Sequence, residues 1–272
     1  MKFPVTICMR PIWLVAALIF VAASVASAQQ TPAATAPAQQ ATAPKTAPVA
    51  APVAATTPSQ PPLCHLSAAN FANFDRYSAA NAALPAKQKG RVVFFGDSIT
   101  DNWQRNPDGF FRGKPYVDRG ISGQTTPQML LRFRQDVVAL HPEAVVILAG
   151  TNDIAGNTGP TSLLEIANNL QSMAEIASSN GIHVILASVL PVADYPWHKG
   201  QNPAPKIKIL NDWQRELCGK LKLTYLDYYS AMSTAEGGMK PELSKDGVHP
   251  NPAGYAIMTP LAEKAISLAL NQ

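Results

Sequence analysis

Arg91-Val-Val-Phe-Phe-Gly-Asp-Ser-Ile-Thr100 is the stretch on which the fold of this chain turns. Val92, Val93, Phe94 and Phe95 have the β-branched and aromatic make-up of a strand buried on both faces, the mark of a parallel sheet covered on both sides. Gly96 lets the backbone turn sharply before a helix starts. Ser98 therefore falls at the carboxyl edge of a strand, where open parallel sheets bind their ligands. A hydroxyl on such a strand-to-helix turn is exposed, and the backbone N–H groups behind it point outward. Ser98 is thus a candidate nucleophile, although Gly-Asp-Ser is also an ordinary turn tripeptide.

Outward from this stretch the chain alternates. Apolar runs suited to buried strands recur at Tyr116 to Asp118, Val145 to Ala149, His183 to Ser188 and Leu223 to Leu226, making five with Val92 to Phe95. Helical patterns lie between them. A lead-in helix is predicted near Ala68 to Ala83. A second starts at Pro127 with Thr126 as its cap and carries Met129, Leu130, Phe133 and Val137 on one face. A third carries Leu163, Ile166, Leu170, Met173 and Ala177 and stops near Asn180-Gly181. A fourth uses Ile207, Leu210, Trp213, Leu217 and Leu221, and the last starts at Asn251-Pro252 and buries Leu261, Ala265 and Leu268. Strand followed by helix, repeated, predicts an α/β protein whose five-stranded parallel sheet is covered on both faces.

Such an architecture gathers special residues just after strands. In Asp118-Arg-Gly-Ile-Ser-Gly-Gln-Thr-Thr126 the glycines allow close approach of the main chain, and the Gly123 N–H is a natural anion donor; a loop needing glycine only for its turn is the plainer reading. In Ala149-Gly-Thr-Asn-Asp153, Asn152 offers an amide NH₂ to a developing oxyanion, while ionised Asp153 only accepts and is expected to brace the loop. In Asp246-Gly-Val-His-Pro250 the carboxylate can accept the imidazole Nδ1–H and turn Nε2 toward a hydroxyl. No third ligand accompanies that pair at metal-binding spacing, and His65, His141, His183 and His198 are isolated. Tyr195 and Trp197, in a proline-containing loop after the fourth strand, and Trp103, five residues past Ser98, either line the site or pack beneath it.

The 272 residues are 47% hydrophobic and 15% charged, as in a globular protein, but the first part of the chain stands apart. Lys2 and Arg10 flank an apolar run from Ile12 to Ala23, and Ala26-Ser27-Ala28 supplies small residues for cleavage. Residues 1–28 read as a cleavable signal peptide. An uncleaved anchor is the alternative, because the run to about Ala28 is only slightly short of a spanning helix. Residues 29–62 are rich in Ala, Pro, Thr and Gln, with eight prolines and Lys45 as the only charge. Too few large apolar side chains remain to offset the entropy of ordering, so a disordered linker is expected, reaching about 100 Å at roughly 3.1 Å per residue. The domain proper is then 63–272, a normal size for one α/β unit.

Losing Lys2 and Arg10 with the leader takes the formal charge from +4 to +2, too little to indicate nucleic acid or an anionic membrane as partner. The expected location is secreted or periplasmic, without a stable membrane span after cleavage. Cysteine use agrees with export: Cys8 leaves with the leader, and Cys64 and Cys218 remain as an even pair. They form either a disulfide or two buried thiols.

Taken together, the four stretches resemble the SGNH hydrolases, the GDSL-type esterases and lipases. Gly96-Asp97-Ser98-Ile99 is similar to that family's first block, Gly123 to the glycine of its second, Gly150 to Asp153 to Gly-x-Asn-Asp, and Asp246 to His249 to Asp-x-x-His. All four occur in the family's order. The resemblance implies a flavodoxin-like three-layer α/β/α sandwich, with Ser98 as nucleophile, His249 as general base and acid, and Asp246 orienting it. It also implies an oxyanion hole of the Ser98 and Gly123 N–H groups with the Asn152 side chain, and no metal or organic cofactor. Ile99 replaces the leucine of the family's older name, and Asp118 stands where relatives often have asparagine. Arg119 to Thr126 is most similar to the small catalytic subunits of platelet-activating-factor acetylhydrolase and their bacterial relatives. The implied activity is hydrolysis of carboxylic esters with short acyl chains or of lysophospholipid type. Deacetylation of a polysaccharide and non-catalytic binding of acylated glycans are the alternatives.

Overall fold

The computed structural model describes residues 70–272, so the predicted signal peptide, the linker and Cys64 lie outside the described residues. Five strands form one sheet: β1 (Val92–Gly96), β2 (Tyr116–Gly120), β3 (Ala144–Leu148), β4 (His183–Ala187) and β5 (Thr224–Leu226). Their spatial order is β2-β1-β3-β4-β5, and all neighbours pair in parallel. This is the flavodoxin-like order that the resemblance implies, with the chain's direction of winding reversing between β1 and β3.

Alternation along the strands sorts the core into two layers. Val93, Phe95, Val145, Ile147, Val184 and Leu186 face one side and meet α3 (Thr126–Asp136), α5 (Leu163–Ser179) and α6 (Pro203–Leu221) through Phe133, Leu170 and Leu210. Val92, Phe94, Val146, Leu148, Ile185 and Ala187 face the other, where α2 (Ser98–Trp103) and α8 (Pro252–Leu270) contribute Trp103, Met258 and Ile266. Two short helices, α4 (Thr151–Ile154) and α7 (Tyr229–Met232), follow β3 and β5. Both faces of the sheet are thus covered, as the unbroken apolar runs of the strands require.

Leu221 and Leu268, expected on the covered faces of their helices, are exposed near the helix ends, and two elements differ from expectation. The lead-in helix shrinks to a 3-10 turn, Phe74–Tyr77, followed by α1 (Ser78–Ala82). None of the α1 residues is buried, so no apolar face offsets the cost of nucleating a longer helix. The cap of α3 is Thr125, not Thr126. The Thr126 N–H and hydroxyl are both engaged by the Asp153 carboxylate, and the capping box forms one residue earlier, with the Thr125 N–H donating to Gln128 Oε1 at 2.9 Å.

Candidate active site

Ser98 is the first residue of α2, immediately beyond the carboxyl end of β1, and is 8% exposed. Its N–H belongs to the first turn, whose donors have no intrahelical acceptor. Its Oγ lies 2.9 Å from His249 Nε2. The other ring nitrogen, Nδ1, lies 2.7 Å from Asp246 Oδ2. When Nδ1–H donates to the carboxylate, Nε2 is left as the acceptor for the serine hydroxyl.

The turn that makes this possible is local. Asp246 Oδ1 accepts from the Val248 and His249 N–H groups at 3.0 and 2.8 Å, which folds His249 back over its own carboxylate. Gly247 sits at φ +77°, a left-handed conformation that a side chain disfavours. Burial pushes the Asp246 carboxyl up, but the hydrogen bonds from the His249 ring and from the two N–H groups outweigh it and hold the group at about 2. The ring therefore faces a carboxylate that stays ionised across the whole working range of pH.

The remaining sequence candidates arrive on loops after β2 and β3. Gly123 has φ +81°, and an added Cβ would meet nothing within 4 Å, so glycine is there for backbone conformation and not for space. Asn152 lies in α4, where its Nδ2 donates to the Gln124 carbonyl at 3.0 Å and its Oδ1 accepts from Asn157 Nδ2 at 2.9 Å. One of its two amide hydrogens is thereby used and one remains to donate. Asp153 braces the loop as expected, gripping Thr126 N at 3.0 Å and Thr126 Oγ1 at 2.6 Å. Beneath the site, burial pushes Asp97 up to about 6, opposed by the Ile99 N–H that donates to Oδ1 at 2.9 Å and by the nearby His249.

The aromatic candidates separate. Trp103 is core, stacked on Phe110 at 4.5 Å between ring centroids and on Tyr255 at 5.5 Å. Tyr195 is buried, and its hydroxyl is 3.0 Å from Thr151 Oγ1, so it packs the loop and lines nothing. Trp197 is 47% exposed, and its ring lies 6.0 Å from the His249 ring at 34°. Only Trp197 borders the site.

Two residues absent from the sequence reading hold the site together. Arg132 of α3, fully buried, donates to the Gly96 carbonyl just before Ser98, to the Arg119 carbonyl and to Gln124 Oε1. Asn157 reaches Gly123, Asn152 and Trp197. Neither stands in a motif. Among the described residues no group of three or more His, Cys, Asp or Glu side chains is arranged to hold a metal ion. Cys218 is buried on α6 and burial pushes its thiol up to about 12, while its candidate partner Cys64 lies outside the described residues.

A family model for the GDSL-like lipase/acylhydrolase family matches residues 94–257, which contain every candidate but Cys64. A GDSL-like lipase from Bacteroides thetaiotaomicron is similar at 46% sequence identity, over 73% of this chain and 99% of that one, with a TM-score of 0.71. An acetylxylan esterase from Geobacillus stearothermophilus shares the fold at 19% identity, over 67% of this chain and 96% of that one, with a TM-score of 0.55. By sequence, the uncharacterized lipoprotein YqeF of Bacillus subtilis is 26% identical over 209 residues, 61% of this chain and 85% of that protein.

Proposed function

Because the chain belongs to the GDSL-like lipase/acylhydrolase family and is a carboxylic ester hydrolase, we propose that it turns over through an acyl group carried on Ser98. The series from Ser98 Oγ to His249 Nε2 at 2.9 Å and from Nδ1 to Asp246 at 2.7 Å carries this reading. In the first half, Oγ attacks the ester carbonyl while its proton passes to Nε2. The carbon–oxygen bond to the alcohol then breaks, and that oxygen takes the proton from Nε2. In the second half, water gives a proton to Nε2 and attacks the acyl carbon. The acid departs, and Oγ recovers the proton. Asp246 orients the ring and stabilises its charged form throughout. Negative charge on the carbonyl oxygen is met by the Ser98 and Gly123 N–H groups and by the free hydrogen on Asn152 Nδ2.

Esters of short acyl chains, or esters of lysophospholipid type, are the proposed substrates. The residues proposed to meet the ester carbonyl, Gly123 and Asn152, are small or polar, and this supports the short-chain reading. One observation favours a second reading, deacetylation of a polysaccharide: the half-exposed Trp197 indole offers a flat apolar face beside His249 for a sugar ring. A panel of acyl lengths from acetyl to palmitoyl, crossed with sugar, glycerophospholipid and aryl alcohols, separates the two. Ser98→Ala is expected to abolish cleavage of all of them, and hydrolysis surviving in that variant points to another nucleophile.

We also infer export, with residues 1–28 as leader, 29–62 as spacer and 63–272 as the enzyme. The leader pattern supports this, and the Bacillus subtilis relative bears the name of a lipoprotein. In this chain no lipid-attachment cysteine follows the leader's apolar run, so a free exported enzyme is expected. The exported protein should begin at Gln29, which N-terminal sequencing reads directly. Export would also allow Cys64 and Cys218 to pair, in which case neither alkylates before reduction.

A further inference from the structure

Asn157 stands five residues beyond Asn152, in the loop that leaves α4. Its backbone N–H donates to the Asn152 carbonyl at 3.0 Å. Its Nδ2 donates to Asn152 Oδ1 at 2.9 Å and reaches the Gly123 carbonyl at 3.3 Å. Its Oδ1 accepts from Trp197 Nε1 at 3.1 Å. One half-buried amide therefore joins the loops that follow β2, β3 and β4. Both ends of it are used, and each end does different work.

The donor end fixes an orientation. Asn152 contributes to an oxyanion hole only if its NH₂, and not its carbonyl, faces the reacting oxygen. With Oδ1 held by Asn157 and Nδ2 held by the Gln124 carbonyl, a flip of the Asn152 amide would set oxygen against oxygen and nitrogen against nitrogen. Two bonds thus specify one amide state. The acceptor end fixes a wall. Trp197 lies beside the His249 ring, the group that hands a proton to the departing alcohol oxygen, so the indole borders the side on which the alcohol leaves.

Building on the acyl-Ser98 reading, we infer that Asn157 is a positioning residue with two separable roles. It holds Asn152 in its donating orientation, and it seats the Trp197 indole as a subsite for alcohols that present a flat ring, aryl or sugar. The first role belongs to kcat and the second to KM for ring-bearing esters. A residue that merely supported the loop would not divide its effects in this way.

The test uses two acetate esters, one of 4-nitrophenol and one of ethanol, with the full chain and four variants. Asn157→Ala is expected to lower kcat on both esters by about tenfold, less than the loss of the oxyanion donor itself. Asn157→Asp keeps an acceptor for Trp197 but cannot donate to Asn152 Oδ1. It should match or exceed the kcat loss while retaining the wild-type ratio of the two KM values. Trp197→Ala should raise KM for the 4-nitrophenyl ester at least about fivefold more than for the ethyl ester. Ser98→Ala reports on the underlying mechanism alone: if it still cleaves both esters, the nucleophile assignment fails whatever Asn157 does. An inactive Ser98→Ala beside an Asn157→Ala with wild-type kcat overturns the positioning role, and an unchanged KM ratio in Trp197→Ala overturns the subsite. Should Asn157→Ala not fold, as thermal melting would reveal, Asn157→Asp decides the first role by itself.

Discussion

Replacing Arg132 by methionine tests whether the loops of the site stand on a buried charge. The guanidinium is fully buried in α3, 3.2 Å from Asp136 Oδ2 one turn on, and lies over the Phe95 ring at 4.2 Å. It donates to the Gly96 carbonyl at 3.1 Å, to the Arg119 carbonyl at 2.9 Å and to Gln124 Oε1 at 2.5 Å. Burial pulls it down to about 10, against the opposing charge of Asp136, so it is a cation at neutral pH. Methionine fills much of the volume but strands the Asp136 carboxylate, which keeps only the 2.7 Å bond from Asn81 Nδ2. Breaking a buried pair from one side costs about 3–5 kcal/mol. In a domain of this size that is a fall in Tm of roughly 6–20 °C. Gln124 loses its anchor too, and its carbonyl is what holds Asn152 Nδ2, so kcat should fall well below the melting range as well.

The control is the double variant Arg132→Met with Asp136→Leu, in which neither member of the pair is left without the other. Replacing both members of a buried pair with apolar groups is commonly near neutral, so the double variant should recover about half or more of the lost stability. Urea unfolding followed by far-UV circular dichroism measures both. A single variant within about 1 kcal/mol of the parent, or a double variant no better than the single, would refute the idea that this charge pair supports the site.

Asn152→Ala should lower turnover by about a hundredfold to a thousandfold, with a fall in melting temperature of only a few degrees from the lost bonds to Gln124 and Asn157, as steady-state kinetics and calorimetry would record. Asp246→Asn should lower kcat by about 10³–10⁴, because the amide no longer selects the tautomer that leaves Nε2 unprotonated. Asp118 is buried with Oδ1 accepting from Gly120 N at 2.8 Å, and burial pushes it up to about 7. A raised carboxyl keeps its proton in the fold after the unfolded chain has lost one, so stability should decline as pH rises from about 4 to about 7 and level off above. Asp118→Asn, which keeps the bond to Gly120, should flatten the part of that slope not due to Asp97 and Asp153, whose carboxyls burial also raises, measured as urea midpoints across the same range. Gly120→Ala should cost about 3 kcal/mol or more, since its Cβ would lie 2.2 Å from Asp101 N and 2.8 Å from Asp97 O, backbone atoms with no room to retreat.

The sheet was legible in the sequence because its signal is local. Val92 to Phe95 or Ala144 to Leu148 need only neighbours in the chain to read as doubly covered strands, and the order of strands and helices then leaves few ways to wind them. Gly123, Asn152 and the Asp246–His249 turn were legible as candidates for a second reason: each belongs to a short block, the first two after strands and the last just before the final helix. What failed to show was any role set by partners far away in sequence. Trp103, Tyr195 and Trp197 are alike on paper, yet the fold stacks the first on Tyr255, buries the second on Thr151 and leaves the third at the rim. The same holds for Thr125 and Thr126, adjacent and chemically identical. Which of them caps α3 depends on Asp153, whose carboxylate reaches Thr126 from the next strand's loop.

Arg132 and Asn157 extend that argument to the site as a whole. Every group proposed to touch the ester lies in a turn or on a short helix, and such segments alone are the least rigid way to hold a reacting geometry. Here each turn is tied to another. Below, Arg132 joins the strand end before Ser98 to Gln124, and Ile121 N donates to the same Gly96 carbonyl at 3.0 Å. Above, Asn157 joins Gly123, Asn152 and Trp197. Asp153 ties the start of α3 to the loop after β3. The His249 turn is the exception, held chiefly by Asp246, Ser244 and its own backbone. Cross-bracing of this kind places the oxyanion donors and the nucleophile in one fixed frame and leaves the proton carrier as a separate, self-contained unit. Substitutions in the frame should therefore disturb charge stabilisation and fold stability together, whereas those in the turn should disturb proton transfer while the fold persists.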